Sequence, residues 1–191
     1  MAKIAIVYHS GYGHTAKQAE AVAAGVAGVE GATAQLVALD DIAAVPWADL
    51  DAADGIIFGA PTYMGGPSAK FKEFADASSK AWFTRAWQDK VAGGFTNSAS
   101  LNGDKQGTLG ALTTLALQHG MIWVSLGLLP ANSSKAQRND VNRMGASFGA
   151  MAQSDSDVGP DVAPPAGDLE TSRLYGARVA ETTLRFVRGK R

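Results

Sequence analysis

No cysteine occurs among the 191 residues, which excludes disulfides, thiolate metal sites and a cysteine nucleophile. Any redox chemistry must therefore come from a bound cofactor. Histidine is scarce: His9, His14 and His119 never fall at metal-ligand spacing with carboxylates, so no metal is expected. Only 18% of residues are charged and the formal net charge is -1, which leaves no electrostatic footprint for nucleic acid. Long apolar runs are missing as well. No window has the length and apolarity of a membrane span, and Met1-Ala2-Lys3 leads directly into a strand without a basic segment, signal core or cleavage site, so the expected location is the cytoplasm. With 46% hydrophobic residues the composition is that of an ordinary globular chain, and the length suits one core, a single domain over residues 1–191.

What is present is an alternation of short β-like runs with longer helical patterns, the signature of an α/β protein whose parallel sheet carries helices on both faces. Five strands are expected, near Lys3–His9, Ala34–Leu39, Gly55–Gly59, Val91–Thr96 and Met121–Ser125. Helices are expected near His14–Val29, Pro67–Ser79, Gln106–His119 and Asp168–Arg188. The stretch from Ala131 to Gly167 has no clear period and is rich in Ser, Asn, Asp, Gly and Pro; it predicts a long surface excursion of functional or interfacial use.

Ligands of open parallel sheets bind beyond the carboxyl ends of the strands. That rule selects three loops. After the first strand, Ser10-Gly11-Tyr12-Gly13-His14-Thr15 delivers small and hydroxyl residues to a helix N-terminus, where free N–H groups favour an anion. It lacks the lysine of the P-loop and the three-glycine spacing of the dinucleotide fingerprint, which disfavours nucleoside triphosphates. Two hydroxyls, two glycines and no fixed cation suit a phosphomonoester such as that of FMN; the plainer alternative is a strand-to-helix turn with Ser10 or Thr15 as N-cap. After the third strand, Pro61 and Pro67 stiffen a segment that displays Tyr63 and Met64 beside Gly65, offering flat and soft surfaces to an aromatic ring, or else packing into the core. After the fourth, Thr96-Asn97-Ser98-Ala99-Ser100 provides hydroxyls and amides for the polar edge of such a ring, or a generic turn. His119, before Gly120, reads as a capping histidine, and Trp82 as half-buried packing or the mouth of the site. Arg185, Arg188, Lys190 and Arg191 read as the solvated cationic end of the last helix.

Five motifs in order then resemble a known family. Val7-Tyr8-His9-Ser10-Gly11-Tyr12-Gly13-His14-Thr15, Ile56-Ile57-Phe58-Gly59-Ala60-Pro61-Thr62-Tyr63, Phe74-Ala75-Asp76 with Trp82, Phe95-Thr96-Asn97-Ser98 and Leu115-Ala116-Leu117-Gln118-His119-Gly120-Met121 are similar to the flavodoxin-like NAD(P)H:quinone oxidoreductases of the WrbA type. The resemblance implies a flavodoxin-like fold, FMN as cofactor and NAD(P)H and a quinone as substrates. It implies that Ser10–Thr15 wraps the FMN phosphate, that Pro61, Thr62, Tyr63, Met64 and Gly65 line the isoalloxazine, and that Thr96–Ser100 binds its pyrimidine edge. Tyr12 and Trp82 would bound the substrate pocket and His119 would reach the flavin as a hydrogen-bond partner or proton donor. A homo-oligomer, dimer or tetramer, is implied too, with some of these residues acting in trans. The chain departs from the family in a short Leu39–Asp54 segment, in Tyr63 where many members carry Arg or Lys, and in Ser98–Gly103, which narrows or reshapes the pocket. The leading reading is two-electron transfer from NAD(P)H through FMN to a quinone. The competing one is a flavodoxin-type electron carrier without turnover of its own, against which the near-neutral charge counts.

Overall fold

A computed structural model describes residues 1–189; Lys190 and Arg191, read above as part of the cationic helix end, lie outside them. Elements follow in the order β1 (Ala2–Tyr8), α1 (His14–Ala27), β2 (Ala32–Ala38), a short 3-10 turn (Ile42–Ala44), α2 (Trp47–Ala52), β3 (Gly55–Tyr63), β4 (Gly66–Pro67), α3 (Ala69–Ala77), α4 (Ser79–Phe83), β5 (Val91–Ser98), α5 (Lys105–Gln118), β6 (Ile122–Trp123), β7 (Ala150–Gln153) and α6 (Ala166–Gly189). The main sheet runs β2-β1-β3-β5-β6, all parallel. Because strand side chains alternate between faces, β1 sends Ile4 and Ile6 into one apolar cluster and Ala5 and Val7 into another. The first cluster is closed by α1 and α6, through Val22, Val26, Tyr175 and Val179; the second by α3 and α5, through Phe71, Phe74, Leu109 and Leu112. The helices α1 and α6 approach until backbone touches backbone: a Cβ on Gly25 would stand 1.8 Å from the Arg173 carbonyl oxygen, and one on Gly176 2.1 Å from that of Val22.

The expected fifth strand is split. After Ile122 and Trp123 pair with Val91 and Ala92, the chain leaves the sheet and returns as β7, which pairs in parallel with Phe95–Ser98 along the same edge of β5. A tyrosine spans the gap. The Gly94 N–H donates to the Tyr175 hydroxyl at 3.1 Å, and that hydroxyl donates to the Val124 carbonyl at 2.7 Å, so the missing rung is replaced by a side chain from α6. The excursion expected from Ala131 to Gly167 is thus interrupted by a strand; the helix expected over Pro67–Ser79 is α3, capped by the Ser68 hydroxyl accepting from the Phe71 N–H at 3.4 Å, and the further short helix α4 follows it from Ser79.

Candidate functional site

The carboxyl ends of β1, β3 and β5 open onto a cavity of about 580 Å³ lined by Ser10, Tyr12, His14, Thr15, Pro61, Thr62, Tyr63, Asn97, Ser98 and Ala99, with Ser154, Ser156, Val158 and Gly159 from the excursion. Its volume lies within the range of small-molecule and cofactor sites. No Lys, Arg, Asp or Glu is among these residues.

Its floor is the start of α1. Gly13 takes a left-handed φ of +89° and a Cβ there would meet Pro160 Cγ at 2.8 Å, so the turn is tight against the excursion. A Cβ on Gly11 would stand 2.4 Å from the Tyr63 hydroxyl. The opening N–H groups of α1 have no preceding turn to bond. The N-cap position falls to Gly13, with no side-chain cap, and not to Ser10 or Thr15; Ser10 Oγ instead reaches from outside the helix to accept from the Ala16 N–H at 3.1 Å, with its hydroxyl proton left over for a ligand. His14 Nε2 is tied to the Val158 carbonyl at 2.9 Å and anchors the outer wall. Tyr12 and Tyr63 meet edge to face, centroids 6.3 Å apart, at the mouth. Burial pushes the Tyr63 phenol up, with Tyr12 adding to the rise.

Several expected residues stand elsewhere. Thr96 is wholly buried, its hydroxyl 2.8 Å from that of Thr62, which donates to Thr108 at 2.7 Å; this ladder stiffens β3 against β5 and leaves Thr96 only its backbone for a ligand. Met64 is fully exposed, with a left-handed φ of 50°, and neither it nor Gly65 lines the cavity. Ser100 turns its carbonyl onto Lys105. Trp82 and His119 are not at this mouth at all. His119 follows α5 and precedes β6, whose first residue pairs with the start of β5, so it lies at the amino edge of the sheet. There it lines a second cavity of about 330 Å³ with Trp82, Phe83, Arg85, Leu117, Gln118 and Gly120. Its ring packs on Trp87 with centroids 4.3 Å apart, and Nε2 is hydrogen-bonded to Ser78 Oγ at 2.9 Å, while Nδ1 is buried without a partner among the described residues. Within one chain, His119 and Trp82 reach no ligand in the larger cavity.

Burial lowers the His119 pKa, and burial is also the leading cause of lowering at His9, whose Nδ1 is 2.8 Å from Ser68 Oγ. In the unfolded chain both titrate near 6.5. Between the lowered folded values and that value the unfolded state binds more protons, so their contribution is intact above pH about 6.5 and is lost as the pH falls through the folded values. Thermal melts of the apoprotein at pH 7 and pH 5 are expected to show the lower midpoint at pH 5. A fall between pH 7 and pH 5 of the same size in the His9→Gln/His119→Gln double variant would show that other groups carry the effect.

The excursion, expected to be of functional or interfacial use, supplies a wall of the cavity through Ser154, Ser156, Val158 and Gly159, none of which the sequence singled out. Lys105 was missed: 1% exposed, it sits behind the cavity with Nζ donating to Ser98 Oγ at 2.8 Å and to the carbonyls of Ser100 and Leu101, each at 2.9 Å. The signal was available: a lysine opening a helix runs against the helix dipole and needs a local reason.

The strand order, the anion-ready start of α1 and the uncharged cavity over the switch point between β1 and β3 define a flavodoxin-like flavoprotein. The comparisons agree. A solved structure of a flavodoxin, WrbA-like protein from Agrobacterium tumefaciens is 52% identical, covers 97% of this chain and 99% of its own, and superimposes with a TM-score of 0.77. Flavodoxin FldP of Pseudomonas aeruginosa is 58% identical over 183 residues, 94% of this chain and 96% of that protein. An NAD(P)H dehydrogenase (quinone) of Trichlorobacter lovleyi is 31% identical over 207 residues, 97% of this chain and 99% of that protein. Residues 11–135 match the description of NADPH-dependent FMN reductases, and the chain belongs to that family. Membership makes FMN its flavin, and NADPH is the reductant that the family's description names.

Proposed function

We propose that FMN occupies the larger cavity and that the protein is an NAD(P)H:quinone oxidoreductase. The observation that carries this reading is the cavity itself: a helix N-terminus and two hydroxyls at one end, a polar loop at the other, and an open side edged by two tyrosines. The residues fit the group. Ser10, Thr15 and the first amides of α1 hold the phosphate without a fixed cation, in a loop that Gly11 and Gly13 let pack directly against the Tyr63 hydroxyl and Pro160. Pro61, Thr62 and Tyr63 flank the isoalloxazine, and Asn97, Ser98 and Ala99 take its polar edge. Val158 and Gly159 exclude water from one side. Bound FMN supplies acceptance of a hydride and its onward transfer. Tyr12, on the open side, orients the nicotinamide and then a planar quinone, each aromatic contact contributing about 1 kcal/mol beyond burial.

Of the residues lining the cavity, His14 is the one imidazole, and it is tied to a carbonyl; no carboxylate or ammonium stands beside it. Protons for the quinone therefore come from solvent or from His119 of a second copy, whose Trp82 would cover the same face. The flavodoxin-type carrier is the second reading, favoured by the name of the 58% identical relative.

Reconstitution with FMN followed by NAD(P)H oxidation with benzoquinone separates the two. Turnover is expected, and His119→Ala should reduce it by about tenfold while changing FMN affinity little. FMN binding without turnover selects the carrier. A protein that takes up no FMN refutes both readings.

A further inference from the structure

A fully buried ammonium is costly unless paired, and buried cations ordinarily face a carboxylate or another anion. Lys105 does not. Its three hydrogen bonds go to one hydroxyl and two carbonyls, and no described carboxylate lies within 4.0 Å of Nζ. Burial draws the Lys105 ammonium down to about 8, so it keeps its charge at neutral pH, and Asp168, the carboxylate whose field opposes that fall, is already claimed by Arg138 at 2.7 Å. The hydroxyl it holds belongs to Ser98, which lines the larger cavity, so the uncompensated charge sits one side chain behind the wall.

The same loop is gripped from the other side. Ser154 N–H donates to the Ser98 carbonyl at 3.1 Å and Gln153 Nε2 to that of Ala99 at 2.8 Å, while Lys105 takes those of Ser100 and Leu101. Four consecutive carbonyls are thus consumed by the protein. The amides of the loop are left as the groups available to a ligand, and they carry partial positive charge in the same direction as the ammonium.

We propose that Lys105 is the positioning residue and the hidden cation of this site, holding the Ser98–Leu101 loop amide-side toward bound FMN and favouring the flavin when it gains negative charge on reduction. The inference rests on the placement of FMN in the larger cavity. Lys105 touches no ligand; it acts through Ser98 and through its field, which in a partly desolvated site carries over several ångströms.

The test is the ratio of affinities for reduced and oxidised FMN, read as the midpoint potential of the bound flavin. Lys105→Gln keeps donors for the loop and removes the charge; it is expected to lower the ratio about tenfold, a shift of about 30 mV to more negative potential for a two-electron couple. Lys105→Met should do the same and weaken binding of both forms. Gln153→Ala, which frees the Ala99 carbonyl without changing any charge, should weaken binding severalfold and leave the potential in place. A potential unchanged in Lys105→Gln overturns the proposal, as does a shift of the same size in Gln153→Ala. Wild-type protein that fails to bind FMN refutes the placement of the flavin instead, and the two failures are told apart at the first titration.

Discussion

Gly13→Val is expected to lower FMN affinity about a hundredfold while the apoprotein stays folded. At φ +89° a β-branched residue is strained by about 1–3 kcal/mol, and its Cβ would stand 2.8 Å from Pro160 Cγ and 3.0 Å from Pro160 Cβ. The free protein can relieve both by letting the Ser10–Gly13 loop slide off the excursion, because nothing in the core depends on that loop. Once it slides, the opening amides of α1, Ser10 and Thr15 no longer converge, and the strain reappears as lost affinity; about 3 kcal/mol corresponds to about two decades. Quenching of FMN fluorescence measures it. Gly110→Ala, on α5 where a Cβ would meet nothing within 4 Å, is the control and should leave affinity unchanged. Wild-type affinity in Gly13→Val would show that the phosphate does not sit at the start of α1.

The parallel sheet was legible because β3 and β5 are buried on both faces and read as short apolar runs between turn residues. The three loops were legible for a related reason, since small and hydroxyl residues gather where backbone must come close to a ligand. The split edge was not. No local pattern marks Ala150–Gln153 as a strand, and the gap between β6 and β7 along β5 is spanned by a tyrosine 51 residues from its acceptor. Pairings such as Gln153 with Ala99 are likewise set by tertiary placement, which sequence spacing does not encode. His119 is a different case. Its position immediately before the last strand of the main sheet already implied the amino edge, opposite the cofactor loops, and that inference was open to the sequence once the strand was placed. What spacing could not supply is whether that edge meets the flavin of another copy.

Asp168→Ala is expected to cost about 3 kcal/mol, a fall of about 6–12 °C in melting temperature for a chain of this size. Asp168 is 1% exposed in the first turn of α6, where the helix dipole favours a carboxylate. It accepts from Arg138 Nη1 at 2.8 Å, from Arg138 Nη2 at 2.7 Å and from the Gln153 N–H at 2.9 Å, a forked pair that also pins the end of β7. Removing it strands the Gln153 amide and a guanidinium; Arg138 is 36% exposed on its side chain, so water recovers part of its solvation and the cost falls at the low end of the range for broken buried pairs. Asp168→Asn keeps one acceptor and should cost about half as much. Asp76→Ala, which breaks the exposed Lys72–Asp76 pair on α3, should change stability by less than about 0.5 kcal/mol. The larger effect also reaches the ligand: Gln153 holds the Ala99 carbonyl, so loosening β7 frees one side of the polar loop, and FMN affinity should fall together with the melting temperature. A melting temperature within about 2 °C of wild type, which for this size is under 1 kcal/mol, would mean that water or another donor replaces the carboxylate and that the excursion is held by its apolar contacts alone.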